Sequence, residues 1–321
     1  MRELSKRVLK SKNFTLFIVL VVVIIIVEII NPSFLTGDSI RNVLVSCSLA
    51  GTLAVGVGCI LISGNCDLSC GSVGCMGGLI VALLLKTGMN GVLSMIITVL
   101  FGAACGLINA FFAFKCNMMP FISTLAMSSV WKGIAYVITD TYNIVIDNTR
   151  FWKLGALQIL GIPLPFIIMV VLMIIYGYML NNTVFGRQIY MAGGNRAASR
   201  LAGISVKKIG TILMINCSAI AAFGGAVLAA RMHNGSPGSV TGTELEAITA
   251  SVLGGVAFGG GVGGMGGCFL GVLLLYVFNS GLTVIGLNAY WQIFSGGALL
   301  VVALALDYIT TTRREKLIKV R

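Results

Sequence analysis

Windows of about 20 mainly apolar residues, the length that crosses a hydrocarbon core, recur ten times along this chain. They fall near 14–30, 43–63, 71–86, 91–114, 120–138, 162–180, 209–230, 247–262, 267–286 and 289–309. A mean hydropathy of +1.00, with 57% hydrophobic and only 10% charged residues, cannot be hidden inside a water-soluble domain. The expected fold is therefore an all-α polytopic membrane protein of about ten transmembrane helices, forming one transmembrane domain over residues 1–321. An even number of spans puts both termini on one side. With that side cytosolic, the inner segments hold 16 of the 22 Lys and Arg residues and the outer segments five, with Lys132 inside a span; this asymmetry favours cytosolic termini.

Several classes drop out on composition. The net charge of +12 lies in short basic segments between apolar runs, without the interleaved aromatics of a nucleic-acid groove, so no nucleic-acid partner is expected. The first span has no small-x-small cleavage site before Asn31-Pro32 and is long enough to stay in the membrane. Nine cysteines lie mostly in apolar runs, with no CxxC and with His233 as the single histidine. They read as small buried hydrophobes, and neither a metal nor a cofactor is called for.

Polar residues inside apolar windows carry more information. Ile60–Ser72 is a span interrupted by Gly64, Asn65, Asp67, Ser69 and Gly71. Broken backbone at membrane depth is tolerated where protein or a cavity satisfies it, and an acid there needs water or a partner. Two readings stay open: Asp67 belongs to a broken helix beside a transport path, or it lies at the cytosolic end and caps the next helix. Glu28, Asn109, Trp131 and Lys132 are isolated polar groups that could equally bridge helices. The glycine-dense stretch Gly254–Gly267 lacks the strand that a nucleotide-binding turn requires, and reads as close helix packing.

The polar island Gly186–Ile209 has five Lys/Arg and no acid. Asn195 is a good N-cap, Arg196–Ala202 a short helix and Gly203 its left-handed terminator, with Ser205 capping the next span. Lys207 and Lys208 sit at the wrong end of that span's dipole, which anionic membrane lipids can offset. Ala198, Leu201 and Ala202 are available to a partner. A helix this short and weakly apolar binds lipid poorly, which favours a protein partner over lipid.

The segments ISGNCDLSCGS (62–72), NMMPFISTLAM (117–127), FGRQIYMAGGNRAASRLAGISV (185–206), GTELEAITASVLGG (242–255) and NAYWQIF (288–294), in this order and spacing, resemble the permease subunits of bacterial ABC importers for simple sugars, the ribose-permease type. The likeness runs from about residue 40 to the last span. It departs at Asn65-Cys66, where Gly-Ile is usual, and at Cys70, where Val is usual. The resemblance implies a multi-pass permease in the bacterial cell membrane that carries a ribose-like monosaccharide. It implies two ATP-binding cassette subunits, an extracytoplasmic solute-binding protein and a second permease copy. It makes 186–209 the coupling loop, with Asn195, Arg196, Ala198, Arg200, Leu201 and Gly203 as its ATPase-coupling residues. Asn65, Asp67, Asn109 and Trp131 become candidates for the translocation path. The chain has no Walker lysine motif, so it is expected to be no enzyme itself.

The outer segment 140–161, with Tyr142, Asp147, Arg150, Phe151 and Trp152, is expected to pack on the membrane surface. Arg231–Glu246 reads as a contact for the binding protein or as an ordinary loop with a Thr243–Glu246 capping box. An ion-coupled secondary transporter using Asp67 or Glu246 stays in view, as does an ABC permease for branched amino acids, nucleosides or a signalling sugar derivative. An intramembrane enzyme is disfavoured by the lone histidine and the absence of HExxH.

Overall fold

The computed structural model describes residues 12–319; the basic residues called before Lys12 and after Lys319 lie outside them. Its α-helices, in chain order, are α1 (Lys12–Ile30), α2 (Gly37–Ile62), α3 (Cys70–Lys86), α4 (Gly91–Ala110, continued by a π turn at Phe111–Lys115), α5 (Pro120–Thr139), α6 (Thr149–Ala156), α7 (Leu164–Asn182), α8 (Val184–Gly194), α9 (Arg196–Leu201), α10 (Val206–Met232), α11 (Thr243–Leu253), α12 (Met265–Val284) and α13 (Ala289–Lys319). Among the described residues eight helices are long and apolar enough to cross a membrane. The strands there are two-residue ladders: β1 (Ile144–Val145) pairs with β4 (Asn234–Gly235), and β2 (Gln158–Ile159) with β3 (Ile162–Pro163). The chain is an all-α polytopic membrane protein.

Helices α2 and α10 form the centre, because they are apolar and small-residued nearly all round and are buried over most of their length. Helix α10 packs on α2, α3 and α4. The approach is close enough that a Cβ on Gly225 of α10 would overlap the carbonyl of Gly74 of α3. Such small-residue contacts supply helix packing where lipid offers no apolar driving force. Helices α1, α4, α5, α7 and α13 leave Ile, Leu, Val and Phe exposed on their outer faces, as a lipid solvent requires.

Hydrogen bonds sort the connections into two ends. Lys207 Nζ donates to Asn117 Oδ1 at 2.6 Å, and the Gly261 amide donates to the Ile62 carbonyl at 2.8 Å. The segments 62–69, 116–119, 183–205 and 254–264 therefore gather at one end. At the other, Asn31 Nδ2 donates to the Val284 carbonyl at 3.0 Å and β1 meets β4.

The window 71–86 corresponds to the 17-residue helix α3. The window 247–262 is helical only to Leu253; Gly255, Gly260, Gly261 and Gly263 then take positive φ angles that stop it. The Thr243–Glu246 capping box does not form either: Gly242, at φ +88°, precedes the helix without a side-chain cap, and Glu246 Oε2 accepts instead from the Tyr276 hydroxyl at 2.5 Å. The outer segment 140–161 packs on protein as well: Ile146 and Phe151 are buried, and Trp152 donates to the Ile146 carbonyl at 2.7 Å and stacks on His233 at 4.2 Å.

Candidate functional site at the broken helix

Helix α2 stops where Gly64 takes φ +74°. The Gly64 amide returns to the Leu61 carbonyl at 2.8 Å and the Asn65 amide to the Ile60 carbonyl at 3.1 Å, the paired bonds of a Schellman ending. The chain then runs non-helically until α3 begins at Cys70. This stretch is deeply buried, so each of its polar groups needs a partner from protein.

Asp67 is fully buried. Its Oδ1 accepts from the Ser69 amide at 2.8 Å and from the Ser69 hydroxyl at 2.5 Å, closing an Asx turn. Ser69 Oγ in turn accepts from Asn109 Nδ2 at 2.6 Å, and Asn109 Oδ1 accepts from the Trp131 indole at 3.1 Å. The Leu68 amide donates to Thr124 Oγ1 at 3.1 Å. Three of the four predicted path residues, Asp67, Asn109 and Trp131, thus join through Ser69 in one relay from the break to α4 and α5. Among the described residues Asp67 Oδ2 takes no hydrogen bond of ordinary geometry, and the Cys217 thiol is its polar neighbour. Asp67 does not itself cap α3: the residue preceding that helix is Ser69, and its side chain makes no capping bond.

Asn65 belongs to a different set. Its Nδ2 donates to the Ser63 hydroxyl at 3.0 Å, and its Oδ1 accepts from Arg196 Nη2 at 3.3 Å. The same Arg196 nitrogen donates to the Gly64 carbonyl at 2.7 Å. A guanidinium thus sits at the carbonyl end of α2, where a cation is favoured by the helix dipole.

Arg196 is the first residue of α9. Asn195 caps that helix, its Oδ1 accepting from the Ala198 amide at 2.9 Å, and Gly203 follows with φ +76°, as expected from the sequence. Ser205 caps α10 by accepting from the Lys208 amide at 3.3 Å. Ala198 and Arg200 are exposed, and Leu201 is 91% exposed. Ser199 is buried and fastens α9 inward, donating to the Met191 and Asn195 carbonyls at 2.7 and 2.8 Å.

The sequence reading missed α8, which fills the first half of the island, and the glycine contacts beneath it. A Cβ on Gly193 would overlap the Ile62 carbonyl, and one on Gly260 would come within 2.7 Å of Gly64. Tyr190 donates to the Gly263 carbonyl at 2.8 Å, and burial raises its hydroxyl pKa above the ordinary value. The signal for Ser69 was present, two residues after an Asp as an Asx turn requires. Nothing local marked Gly193 or Thr124.

Residues 39–304 match the family described as the permease component of the branched-chain amino acid transport system. The chain belongs to this family. It is 36% identical to the ribose import permease protein RbsC of Bacillus subtilis over 293 residues, 91% of each chain. It is 33% identical to the protein of the same name in Escherichia coli K12, over 90% of this chain and 92% of that one. To the L-arabinose ABC transporter permease protein AraH of Azospirillum brasilense it is 32% identical, over 88% and 84%. No solved structure matches the chain.

The relay makes a thermodynamic prediction. Removing Asn109 leaves the Trp131 indole without its acceptor, so Asn109→Ala and Trp131→Phe should couple by about 0.5–2 kcal/mol in a double-mutant cycle. Unfolding titrations in mixed micelles measure this; additive losses would mean that the two side chains act independently.

Proposed function

We propose that this chain is the membrane-spanning permease subunit of an ATP-driven importer in the bacterial cell membrane, translocating a simple neutral monosaccharide. The observation that carries the reading is Arg196, which binds the end of the exposed helix α9 to the break in α2. A movement imposed on α9 from outside would reach the broken helix through two hydrogen bonds. The sugar follows from relatives named for ribose and arabinose that align over most of their length; the family's description names branched-chain amino acids instead.

In this reading ATP is hydrolysed by a separate cassette subunit, and Asn195, Arg196, Ala198, Arg200, Leu201 and Gly203 form its docking element. Asn195 and Gly203 start and stop the helix, Ala198, Arg200 and Leu201 present the contact, and Arg196 transmits it. Nucleotide-driven closure would move α9 and shift the spans between two packed arrangements. Asn65, Asp67, Asn109 and Trp131 act at the break that this movement reaches, with Asp67 holding the turn rather than touching solute. An extracytoplasmic binding protein delivers the sugar at the opposite end, and a second copy of the chain completes a homodimer surrounded by lipid. Helix α11 with the extended segment 254–264 counts as one crossing and α3 as another. That gives ten spans with both termini, 62–69 and 183–205 in the cytosol, the side favoured by the basic residues.

Orientation is testable on the native chain, because Cys116 is exposed and the other eight cysteines are buried. A membrane-impermeant maleimide should leave intact cells unlabelled and add one label after permeabilisation, lost in Cys116→Ser. Labelling from outside would invert the topology. Docking is tested by Ala198→Trp: overpacking a fitted groove should abolish ATP-driven sugar uptake and release the ATPase on purification, with the permease still in the membrane. Normal uptake with full ATPase recovery would reject α9 as the docking helix.

A further inference from the structure

A cavity of about 430 Å³ opens at the end of the bundle opposite α9, between the start of α2, the first turn of α11, the end of α12 and the start of α13. Its volume is in the range of about 300–1,000 Å³ of small-molecule sites. What distinguishes it is its wall. Asn42 and Ser46 stand exposed on the first turns of α2, whose later turns are buried, and they line the cavity together with Asn279 and Ser280 of α12, Gln292 of α13 and Glu246 of α11. Amides and hydroxyls turned toward hydrocarbon are costly, so a wall of them on four helices marks a water-lined space.

The hydrogen bonds leave specific groups open to that space. Glu246 Oε2 is held by the Tyr276 hydroxyl, which fixes the carboxylate, while Oε1 and the whole Asn42 amide take no partner among the described residues. Asn279 receives only a 3.4 Å bond from Ser295 at its Oδ1, so its NH2 group is also free. The wall therefore offers one fixed carboxylate oxygen, two amides and several hydroxyls.

We propose that this cavity is a low-affinity binding site for a neutral sugar, with Glu246 accepting from two adjacent hydroxyls and Asn42 and Asn279 bridging others. The inference rests on the importer reading above and deepens it by placing a binding site for that solute and naming the residues that hold it. No Lys or Arg lines the cavity, so a sugar phosphate would meet an uncompensated like charge. A branched-chain amino acid could pair its ammonium with Glu246, but its carboxylate would find no Lys or Arg, and its side chain would meet only Val43, Val284 and the Tyr276 ring. A polyol has no charge to satisfy, and its vicinal hydroxyls match a carboxylate and paired amides.

The test uses Ser280→Cys in a Cys116→Ser background, in the reconstituted transporter. A membrane-impermeant thiol reagent added from the binding-protein side should modify the new cysteine, and D-ribose or L-arabinose should slow that reaction while L-leucine should not. Glu246→Gln, which keeps an acceptor for Tyr276, should raise the sugar concentration for half-protection about tenfold, the loss expected for one charge-assisted bond. Asn42→Ala, at an exposed position, should do so less strongly. Absence of modification, protection by leucine as strong as by sugar, or modification unaffected by either sugar would overturn the site. In a preparation whose ATP-driven sugar uptake is intact, those outcomes leave the importer reading standing. Failure of uptake itself would count against that reading instead.

Discussion

A helix break buried inside a protein bundle is shut off from water, so its backbone groups must be satisfied by other parts of the chain. The break between α2 and α3 meets this demand from four directions. The Ile62 carbonyl accepts from Gly261, the Gly64 carbonyl from Arg196, the Leu68 amide donates to Thr124, and the Ser69 amide to Asp67. Each partner except Asp67 comes from a distant segment. Keeping the break intact therefore fixes α5, α9 and the extended segment after α11 relative to α2.

That requirement explains why glycine gathers at one end of the bundle. Backbone can serve backbone only where no Cβ intervenes, and Gly64, Gly193, Gly260 and Gly261 approach one another at distances that side chains would prevent. The same junction carries the exposed helix α9, anchored inward by Ser199 and Arg196. In the proposed reading, a force applied to α9 would reach this irregular backbone through those anchors. The opposite end is built differently: its cavity is walled mainly by side chains on regular helices, the geometry on which the proposed sugar site rests.

The features legible in the sequence were those set by local chemistry. Apolar length marked the spans, and Asn195, Gly203 and Ser205 announced α9 and the start of α10, because caps and left-handed terminators act within a few residues. Gly64 and Asp67 announced the broken helix for the same reason. The window 247–262 is helical only to Leu253 because glycines beyond it take positive φ, a conformation that an average over hydropathy does not register. The Thr243–Glu246 spacing misled because Tyr276, thirty residues on, competes for the same carboxylate. The partners that give the break its geometry lie from 56 to 132 residues away where side chains supply them, and no local pattern encodes such a pairing. Asn109 and Trp131 were visible as polar groups in spans; that both report to Ser69 was not.

The central claim is that Arg196 carries motion from α9 into the broken helix, and the ratio of solute moved to ATP hydrolysed tests it most directly. In the reconstituted complex, Arg196→Gln removes the charge and shortens the side chain while leaving the exposed Ala198 and Leu201 in place. The account predicts that the ATPase still assembles and hydrolyses ATP, while sugar uptake per ATP falls at least about tenfold, the loss expected for a charge-assisted bond. Unchanged uptake per ATP in this variant would contradict it.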